Sequence, residues 1–337
     1  MSPSSSKRLA AAPLEPADDT IIRGVLAGER RPIARAITLL ESTRADHRAR
    51  ARAMLEKLAP HAGKSIRVGI SGAPGVGKST LIEALGMQLV GRGHRLAVLA
   101  VDPTSSVTGG SILGDKTRME RLARAPQAYI RPSPTAGALG GVAERTREAI
   151  LVCEAAGHDI IVVETVGVGQ SEVAVAGMVD VFALLQLPHA GDELQAMKKG
   201  VVELADIIVI NKADIAPAAA ESAARQIRMA LSILRPASPN WRPPVIALSA
   251  LQAEGIAEFW REIARYRDAM CASGEFEARR RRQSLDWMWS LIDAGLRARF
   301  RGNPAVKRQL DGLAEAVRAG EVTPVAAAER LLGLMGD

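Results

Sequence analysis

A run of eight residues constrains the fold of this chain more than any other feature: Gly72-Ala73-Pro74-Gly75-Val76-Gly77-Lys78-Ser79. It follows an apolar run at residues 66–71 and precedes Thr80, where a helical pattern begins. Glycines let backbone N–H groups curl around phosphate oxygens, and the N-terminus of the following helix adds partial positive charge. This order predicts a P-loop over Gly72–Thr80, in which Lys78 reaches the β- and γ-phosphates and Ser79 binds Mg²⁺. The alternative is a tight glycine-rich turn before a helix.

Short apolar runs alternate with helical patterns through the middle of the chain. Buried strands are predicted at residues 66–71, 96–101, 160–164, 179–185, 207–211 and 245–248. Strands that alternate with helices are joined by crossover connections, so we predict an α/β fold with a mainly parallel sheet covered on both faces. The predicted organisation is a flexible tail (1–17), a helical extension (18–62), the P-loop domain (63–262) and a C-terminal helical arm (263–337).

Two further motifs bear on which nucleotide base the site would bind. In Asn211-Lys212-Ala213-Asp214, which follows an apolar run, Asp214 could accept hydrogen bonds from N1–H and the exocyclic amine of guanine. Asn211 would tether this loop and Lys212 would cover one face of the base. Ser249-Ala250-Leu251 would add a backbone N–H to guanine O6. Because unpaired buried acceptors reject a base without matching donors, the motifs together predict guanine specificity. Asn-Lys-x-Asp alone could be a plain strand-to-helix turn.

Two carboxylates are predicted at neighbouring strand ends. Glu164 closes the strand at 160–164 and begins Glu164-Thr165-Val166-Gly167, and Asp102 follows the strand at 96–101. Glu164 would hold Mg²⁺ through water, and the Gly167 N–H would sense the γ-phosphate. Two acidic groups beside a P-loop suit a magnesium triphosphate because the cation offsets their repulsion. The alternative is a pair of solubilising charges.

Five longer segments extend this pattern, and they are Val101-Asp102-Pro103, Thr108–Met119, Arg131-Pro132-Ser133-Pro134, Leu139-Gly140-Gly141 and Glu164–Glu172. Together they resemble the MeaB/ArgK family of P-loop GTPases over nearly the whole P-loop domain. One departure is Ser105-Ser106-Val107, where many relatives have Ser-Pro.

The resemblance implies a GTPase chaperone of adenosylcobalamin-dependent methylmalonyl-CoA mutase. Such a protein binds the mutase, gates loading of the cobalamin, which belongs to the partner, and protects or reactivates the enzyme. By motif, Asp102 and Asp115 belong to switch I and Glu164 to switch II. Asp192 and Lys198, within Gly191–Gly200, are implicated in the reaction that the partner stimulates.

The group that positions the attacking water is left open. Gln170 lies three residues after Gly167 rather than next to it as in Ras, which makes it a weak candidate. Asp102 or Asp115 could orient the water instead, and Lys198 could supply late positive charge. We expect slow basal hydrolysis that accelerates when the mutase orders these segments.

The basic excess of the chain is not spread evenly. The net charge is +7, but residues 65–260 carry 18 basic and 19 acidic side chains, while residues 1–64 carry +5 and 261–337 carry +3. The excess therefore lies on the helical flanks and favours protein contacts over nucleic acid or membrane. The arginine run at 279–282 is the best feature for nucleic acid, and such runs are usually solvated faces or partners of acidic groups on another subunit.

A metal-insertion GTPase of the nickel maturation type is the alternative function. That class needs Cys or His ligands near the switches, but Cys153 stands alone on a predicted helix and His158 resembles a turn residue. Two cysteines and no apolar run of about 20 residues predict a cytoplasmic protein without a membrane span.

Aromatic residues concentrate near the C-terminus. Seven of the ten lie after residue 258, and they are Phe259, Trp260, Tyr266, Phe276, Trp287, Trp289 and Phe300. Aromatic residues are enriched at interface cores, and the resembling family has a dimerisation arm, so we predict a homodimer through this arm. The alternative is packing against the chain's own P-loop domain.

Overall fold

The structure, a computed structural model, describes residues 14–101, 119–131, 139–165, 171–188, 199–234 and 236–335. The chain divides into two compact units, the first extending to Arg279 and the second beginning at Arg280. The first unit contains the N-terminal helices and the sheet, and the second contains the C-terminal helices.

Seven strands form a parallel sheet in the described part of the first unit, which confirms the predicted fold class. They are β1 (Ile66–Gly72), β2 (Leu96–Val101), β3 (Ala128–Arg131), β4 (Ile160–Thr165), β5 (Val181–Gln186), β6 (Ile207–Ile210) and β7 (Val245–Ala247). Their spatial order is β3-β2-β4-β1-β5-β6-β7. The sequence pattern missed β3, a four-residue edge strand too short to show a periodicity.

Thirteen α-helices occur among the described residues. They are α1 (Pro16–Leu26), α2 (Arg30–Glu41), α3 (Ala45–Leu58), α4 (Lys78–Val90), α5 (Glu120–Arg124), α6 (Leu139–Ala155), α7 (Ser171–Ala176), α8 (Lys199–Leu204), α9 (Pro217–Ile233), α10 (Ile256–Ser273), α11 (Glu275–Gly302), α12 (Pro304–Arg318) and α13 (Pro324–Gly333). Gly274 separates α10 from α11 with φ +74°, a conformation that glycine adopts readily. Asn303 and Thr323 cap the helices that follow them through side-chain oxygens.

The two faces of the sheet carry different helices because strand side chains alternate. Ile70 of β1 and Val162 of β4 belong to the core that includes α4 and α10. Val163 of β4 belongs to the other core, with α6 and the N-terminal helices. Glu164 therefore projects on the same side as Val162 and α4.

The N-terminal helices pack on α6 and reach the edge strand β3. The Arg30 guanidinium donates to the carbonyl oxygen of Ala128 at 2.5 Å. At the other end of β3, Arg131 forms an ion pair with Glu41. The two ends of α2 therefore hold the two ends of the edge strand.

The second unit exposes apolar side chains along α11. They follow helical spacing, and they are Leu285, Met288, Trp289, Ile292 and Leu296, with Trp289 59% exposed. In the part of the chain that the structure describes, no helix is both long and apolar enough to cross a membrane.

Candidate nucleotide-binding site

The predicted P-loop lies at the carboxyl end of the central strand β1 and leads into α4. Gly75 and Gly77 have φ of +79° and +96°, which L side chains rarely adopt. A Cβ on Gly77 would lie 2.4 Å from Nδ2 of Asn211, so the loop also needs glycine there for space. With these conformations the N-terminus of α4 faces the loop. The free N–H groups and partial positive charge of a helix N-terminus favour binding of an anion there.

Lys78 bends back over the loop that precedes it. Its Nζ donates to the carbonyl oxygens of Gly72 at 2.7 Å and Ala73 at 3.2 Å, and the residue is buried. Both acceptors are neutral carbonyl groups. A phosphate oxygen would be a stronger, charge-assisted partner for the same ammonium group.

Ser79 and Glu164 meet at the start of α4. The Ser79 hydroxyl donates to Oε1 of Glu164 at 3.1 Å, and Glu164 is 5% exposed. The contact joins the P-loop to the end of β4, two elements 85 residues apart in sequence. It brings together the two described oxygen donors that the sequence predicted for Mg²⁺.

Asn211 connects three loops at this edge of the sheet. Its Nδ2 donates to the Val76 carbonyl oxygen at 2.7 Å, and its Oδ1 accepts from the Ala250 N–H at 3.0 Å. The side chain is buried, so both bonds are shielded from water. Asn211 thus tethers the guanine-type motif to the P-loop and to the Ser249–Leu251 segment.

The other residues of the two motifs predicted to bind guanine, Asn211–Asp214 and Ser249–Leu251, lie around Asn211. Lys212 has φ +60°, and the next residue donates its N–H to the Leu248 carbonyl oxygen at 3.1 Å. Asp214 is exposed. Ser249 is buried, whereas Leu251 is 76% exposed. The arrangement brings the two base motifs together at adjacent strand ends.

Several predicted residues lie outside the described part of the chain. They are Asp102, Asp115, Gly167, Gln170, Asp192 and Lys198. The strands that lead to two of these segments are described: β2 ends at Val101 and β4 at Thr165.

The sequence analysis missed one polar contact at this edge. The Thr165 hydroxyl donates to the Ser71 hydroxyl at 2.9 Å, and both residues are fully buried. Only the parallel register of β1 and β4 could have indicated it.

Cys153 and His158, weighed for the nickel alternative, contact each other away from the P-loop. Nδ1 of His158 lies 2.9 Å from the Cys153 carbonyl oxygen. Burial raises the pKa of the Cys153 thiol and lowers the pKa of His158 to about 4. Both are therefore neutral near pH 7. Among the described residues, no cluster of three or more His, Cys, Asp or Glu side chains suits a metal ion.

The first residue of the arginine run is paired within the chain rather than solvated. Nη1 of Arg279 donates to both carboxylate oxygens of Asp206 at 3.0 Å and to the Tyr266 hydroxyl at 2.5 Å. Arg281 and Arg282 are exposed. The run is therefore not one uniform basic face.

A phosphate loop whose serine contacts a carboxylate, next to a guanine-type motif, defines the class of P-loop GTPases. The chain belongs to the MeaB family: the family model described as "Methylmalonyl Co-A mutase-associated GTPase MeaB" matches residues 33–305. The protein is accordingly a GTPase that hydrolyses GTP.

Relatives of known description support this assignment. A probable GTPase of Mycobacterium tuberculosis is 55% identical over 94% of this chain and 95% of its own length. The mouse mitochondrial methylmalonic aciduria type A homolog is 47% identical over 93% of this chain and 78% of its own length. A crystal structure described as an LAO/AO transport system kinase superposes with a TM-score of 0.76 at 37% identity, covering 96% of this chain and 99% of that one.

Proposed function

We propose that this GTPase is a chaperone of adenosylcobalamin-dependent methylmalonyl-CoA mutase. It gates loading of the cobalamin cofactor, which the mutase carries, and protects or reactivates that enzyme. The observation that carries the proposal is the family match over residues 33–305, whose description names a mutase-associated GTPase. The cytoplasm is the proposed compartment, although the similar mouse protein is described as mitochondrial.

The P-loop supplies the phosphate contacts in this proposal. Lys78 exchanges the carbonyl oxygens of Gly72 and Ala73 for β- and γ-phosphate oxygens when the nucleotide binds. The loop amides and the N-terminus of α4 neutralise the remaining negative charge. The lysine is already directed along the loop, so little reorganisation is needed.

The contact between Ser79 and Glu164 fits a magnesium site. Both groups offer oxygen atoms, the donors that Mg²⁺ prefers, and they lie 3.1 Å apart beside the phosphate loop. Ser79 would bind the ion directly and Glu164 through water, with Asp102 as a third ligand. Bound Mg²⁺ would offset charge on the transferred phosphoryl group.

The base site in this proposal consists of Asp214, Lys212 and the Ser249–Leu251 segment. Asp214 accepts from N1–H and the amine of guanine, the Lys212 stem covers one face, and a backbone N–H in Ser249–Leu251 binds O6. The support is the bond network of Asn211, which fixes these loops relative to the P-loop.

Partner-stimulated hydrolysis is assigned to the segments outside the described residues. Gly167 senses the γ-phosphate, and Asp102 or Asp115 orients the water. Asp192 and Lys198 act in the reaction that the mutase stimulates. Basal turnover is slow in this proposal because the attacking water and the late positive charge become effective only with the mutase bound.

A homodimer is proposed through α11. Its support is the exposed apolar row of Leu285, Trp289, Ile292 and Leu296, which a second copy would remove from water. Of the seven C-terminal aromatic residues, Phe259 and Tyr266 are buried in the core of the first unit, and Trp260 and Phe276 pack against that core, so these four do not support the dimer. Light scattering should give twice the chain mass for the wild type and the chain mass for Trp289→Asp, whereas a monomeric wild type at micromolar concentration contradicts the proposal.

Binding to the mutase tests the main proposal. Tagged protein should retain purified mutase to different extents in GDP and in a non-hydrolysable GTP analogue. In the matched variant Asp214→Asn, this difference should appear with xanthosine nucleotides instead. Failure to retain the mutase with either guanosine nucleotide contradicts the chaperone role.

A further inference from the structure

A buried row of side chains crosses four strands of the sheet near their carboxyl ends, next to the proposed nucleotide site. The register pairs Val101 of β2 with Thr165 of β4, and Ser71 of β1 with Leu184 of β5. The hydroxyl groups of Thr165 and Ser71 join the two halves of the row at 2.9 Å. The outer members are apolar, so the row contains one hydroxyl pair with hydrocarbon on either side.

The hydroxyl pair extends the connection between β1 and β4 beyond their backbone ladder. That ladder runs from Ile66 and Ile160 to Ile70 and Glu164. Ser71 and Thr165 are the next residues on the two strands, at the point where each chain leaves the sheet. A bond there opposes sliding of one strand end past the other.

Each member of the pair adjoins a residue of the proposed site. Ser71 precedes Gly72, whose carbonyl oxygen accepts from Lys78. Thr165 follows Glu164, whose carboxylate accepts from Ser79. Strand side chains alternate, so the hydroxyls lie on the opposite face from Glu164 and would not touch the nucleotide.

Burial makes the bond sensitive to the loss of either partner. Both side chains are 0% exposed, so a hydroxyl without its partner would be left unpaired away from water. Removal of both hydroxyls avoids that cost but also removes the constraint. The pair therefore favours one relative position of the P-loop and the Glu164 carboxylate.

We propose that the Ser71–Thr165 hydroxyl pair is a positioning element for GTP hydrolysis. It sets the separation between the P-loop and Glu164, and hence how well the site holds Mg²⁺ with the nucleotide. The inference rests on the proposed roles of Lys78, Ser79 and Glu164 and is independent of the mutase.

The test compares Thr165→Val, Ser71→Ala and the double variant with the wild type. For each, kcat, KM for GTP, the Mg²⁺ concentration at half-maximal rate and the unfolding midpoint are measured. Since one hydrogen bond is worth about 1 kcal/mol, each single variant should lose about fivefold in kcat and need about fivefold more Mg²⁺. KM for GTP should change less than about twofold.

The pair should behave as a unit. The double variant should be no slower than either single variant, because both lose the same bond. Thr165→Ser keeps the hydroxyl and should restore the Mg²⁺ dependence of the wild type. A Thr165→Ser variant that remains as impaired as Thr165→Val would overturn the inference.

Thr146→Val is a matched control. The Thr146 hydroxyl is also buried and donates to the Val142 carbonyl oxygen at 2.8 Å, but within α6. Its loss should lower the unfolding midpoint without changing the Mg²⁺ dependence. If Thr165→Val behaves in the same way, the pair is structural only and the inference is wrong.

Glu164→Gln separates failure of the inference from failure of the proposed site. A shifted Mg²⁺ dependence in Glu164→Gln with none in Thr165→Val overturns the positioning role alone. A normal Mg²⁺ dependence in Glu164→Gln overturns the metal role of Glu164 and the inference with it.

Discussion

The two edges of the sheet use the same residue types in different ways. At the carboxyl edge, Lys78, Ser79 and Glu164 contact one another or the P-loop carbonyls, and all these groups can bind a ligand instead. At the amino edge, acidic side chains are engaged by backbone N–H groups and arginines of the chain itself. A strand-end carboxylate is thus a structural link on the amino edge, and in the proposed function it is a ligand group on the carboxyl edge.

The amino edge repeats one arrangement three times. An aspartate directly before a strand accepts the backbone N–H of a residue in or before a neighbouring strand, at 2.8 Å in each case. The pairs are Asp159 with Arg95, Asp180 with Arg67, and Asp206 with Phe182. These bonds fix the ends of adjacent strands relative to one another.

The same edge also contains strong ion pairs. Glu154 on α6 accepts two hydrogen bonds from Arg67, at 2.8 and 2.9 Å. Burial would raise the pKa of the Glu154 carboxyl, but the bonds from Arg67, Ser65 and Gly63 outweigh it and hold the pKa below its ordinary value. Glu154 therefore stays ionised near pH 7 and is satisfied within the fold. The comparison predicts loss of turnover from changes at the carboxyl edge and loss of stability from changes at the amino edge.

The largest effect is expected from Lys78→Ala. Removing the ammonium group leaves the triphosphate charge without its main protein cation, so hydrolysis should fall on the order of 10³-fold and GTP binding should weaken. The unfolding midpoint should change little, because two of the acceptors of the lysine are carbonyl groups of the loop itself. Single-turnover kinetics measure the loss of hydrolysis, and nucleotide titration measures the loss of GTP binding. Wild-type turnover in this variant would rule out the P-loop role.

Asp214→Asn tests the specificity of the same edge. An amide in place of the carboxylate can donate to the oxygen that xanthine has in place of the guanine amine. Preference should therefore shift from GTP toward XTP by about 10²-fold in a competition assay. Retained selectivity for GTP would show that the base binds elsewhere.

Asp206→Asn tests the amino edge. It weakens the pairing with Arg279 while keeping the side chain's size, so the free energy of unfolding should fall by about 3 kcal/mol in urea titrations. At urea concentrations at which the variant is still folded, its kcat should stay within about twofold of that of the wild type. A large loss of kcat with unchanged stability would contradict the division between the edges.

The parts of this molecule that could be predicted from sequence are local. The glycine spacing of the P-loop specifies its own backbone conformation, and the Asn211–Asp214 motif carries its chemistry in four adjacent residues. Six strands were predicted correctly because each is a continuous apolar run between helical patterns. Family resemblance then supplied the GTPase class, which the comparisons confirm.

Apart from the short strand β3, the parts that were missed depend on contacts between distant segments. The Thr165–Ser71 bond joins residues 94 apart, and the Asp206–Arg279 pair joins residues 73 apart. No local spacing reveals such contacts. Phe259 and Tyr266 belonged to the aromatic cluster assigned to a dimer arm, but α10 packs them into the first unit. Helical periodicity shows which face is apolar but not what covers it.

Single-turnover cleavage of GTP with and without saturating methylmalonyl-CoA mutase tests the central claim most directly. Under the proposed function, the carboxyl edge should give slow basal cleavage that accelerates when the mutase is bound. Lys78→Ala should be on the order of 10³-fold slower than the wild type in both conditions. A wild-type rate that does not change on addition of the mutase would contradict the account.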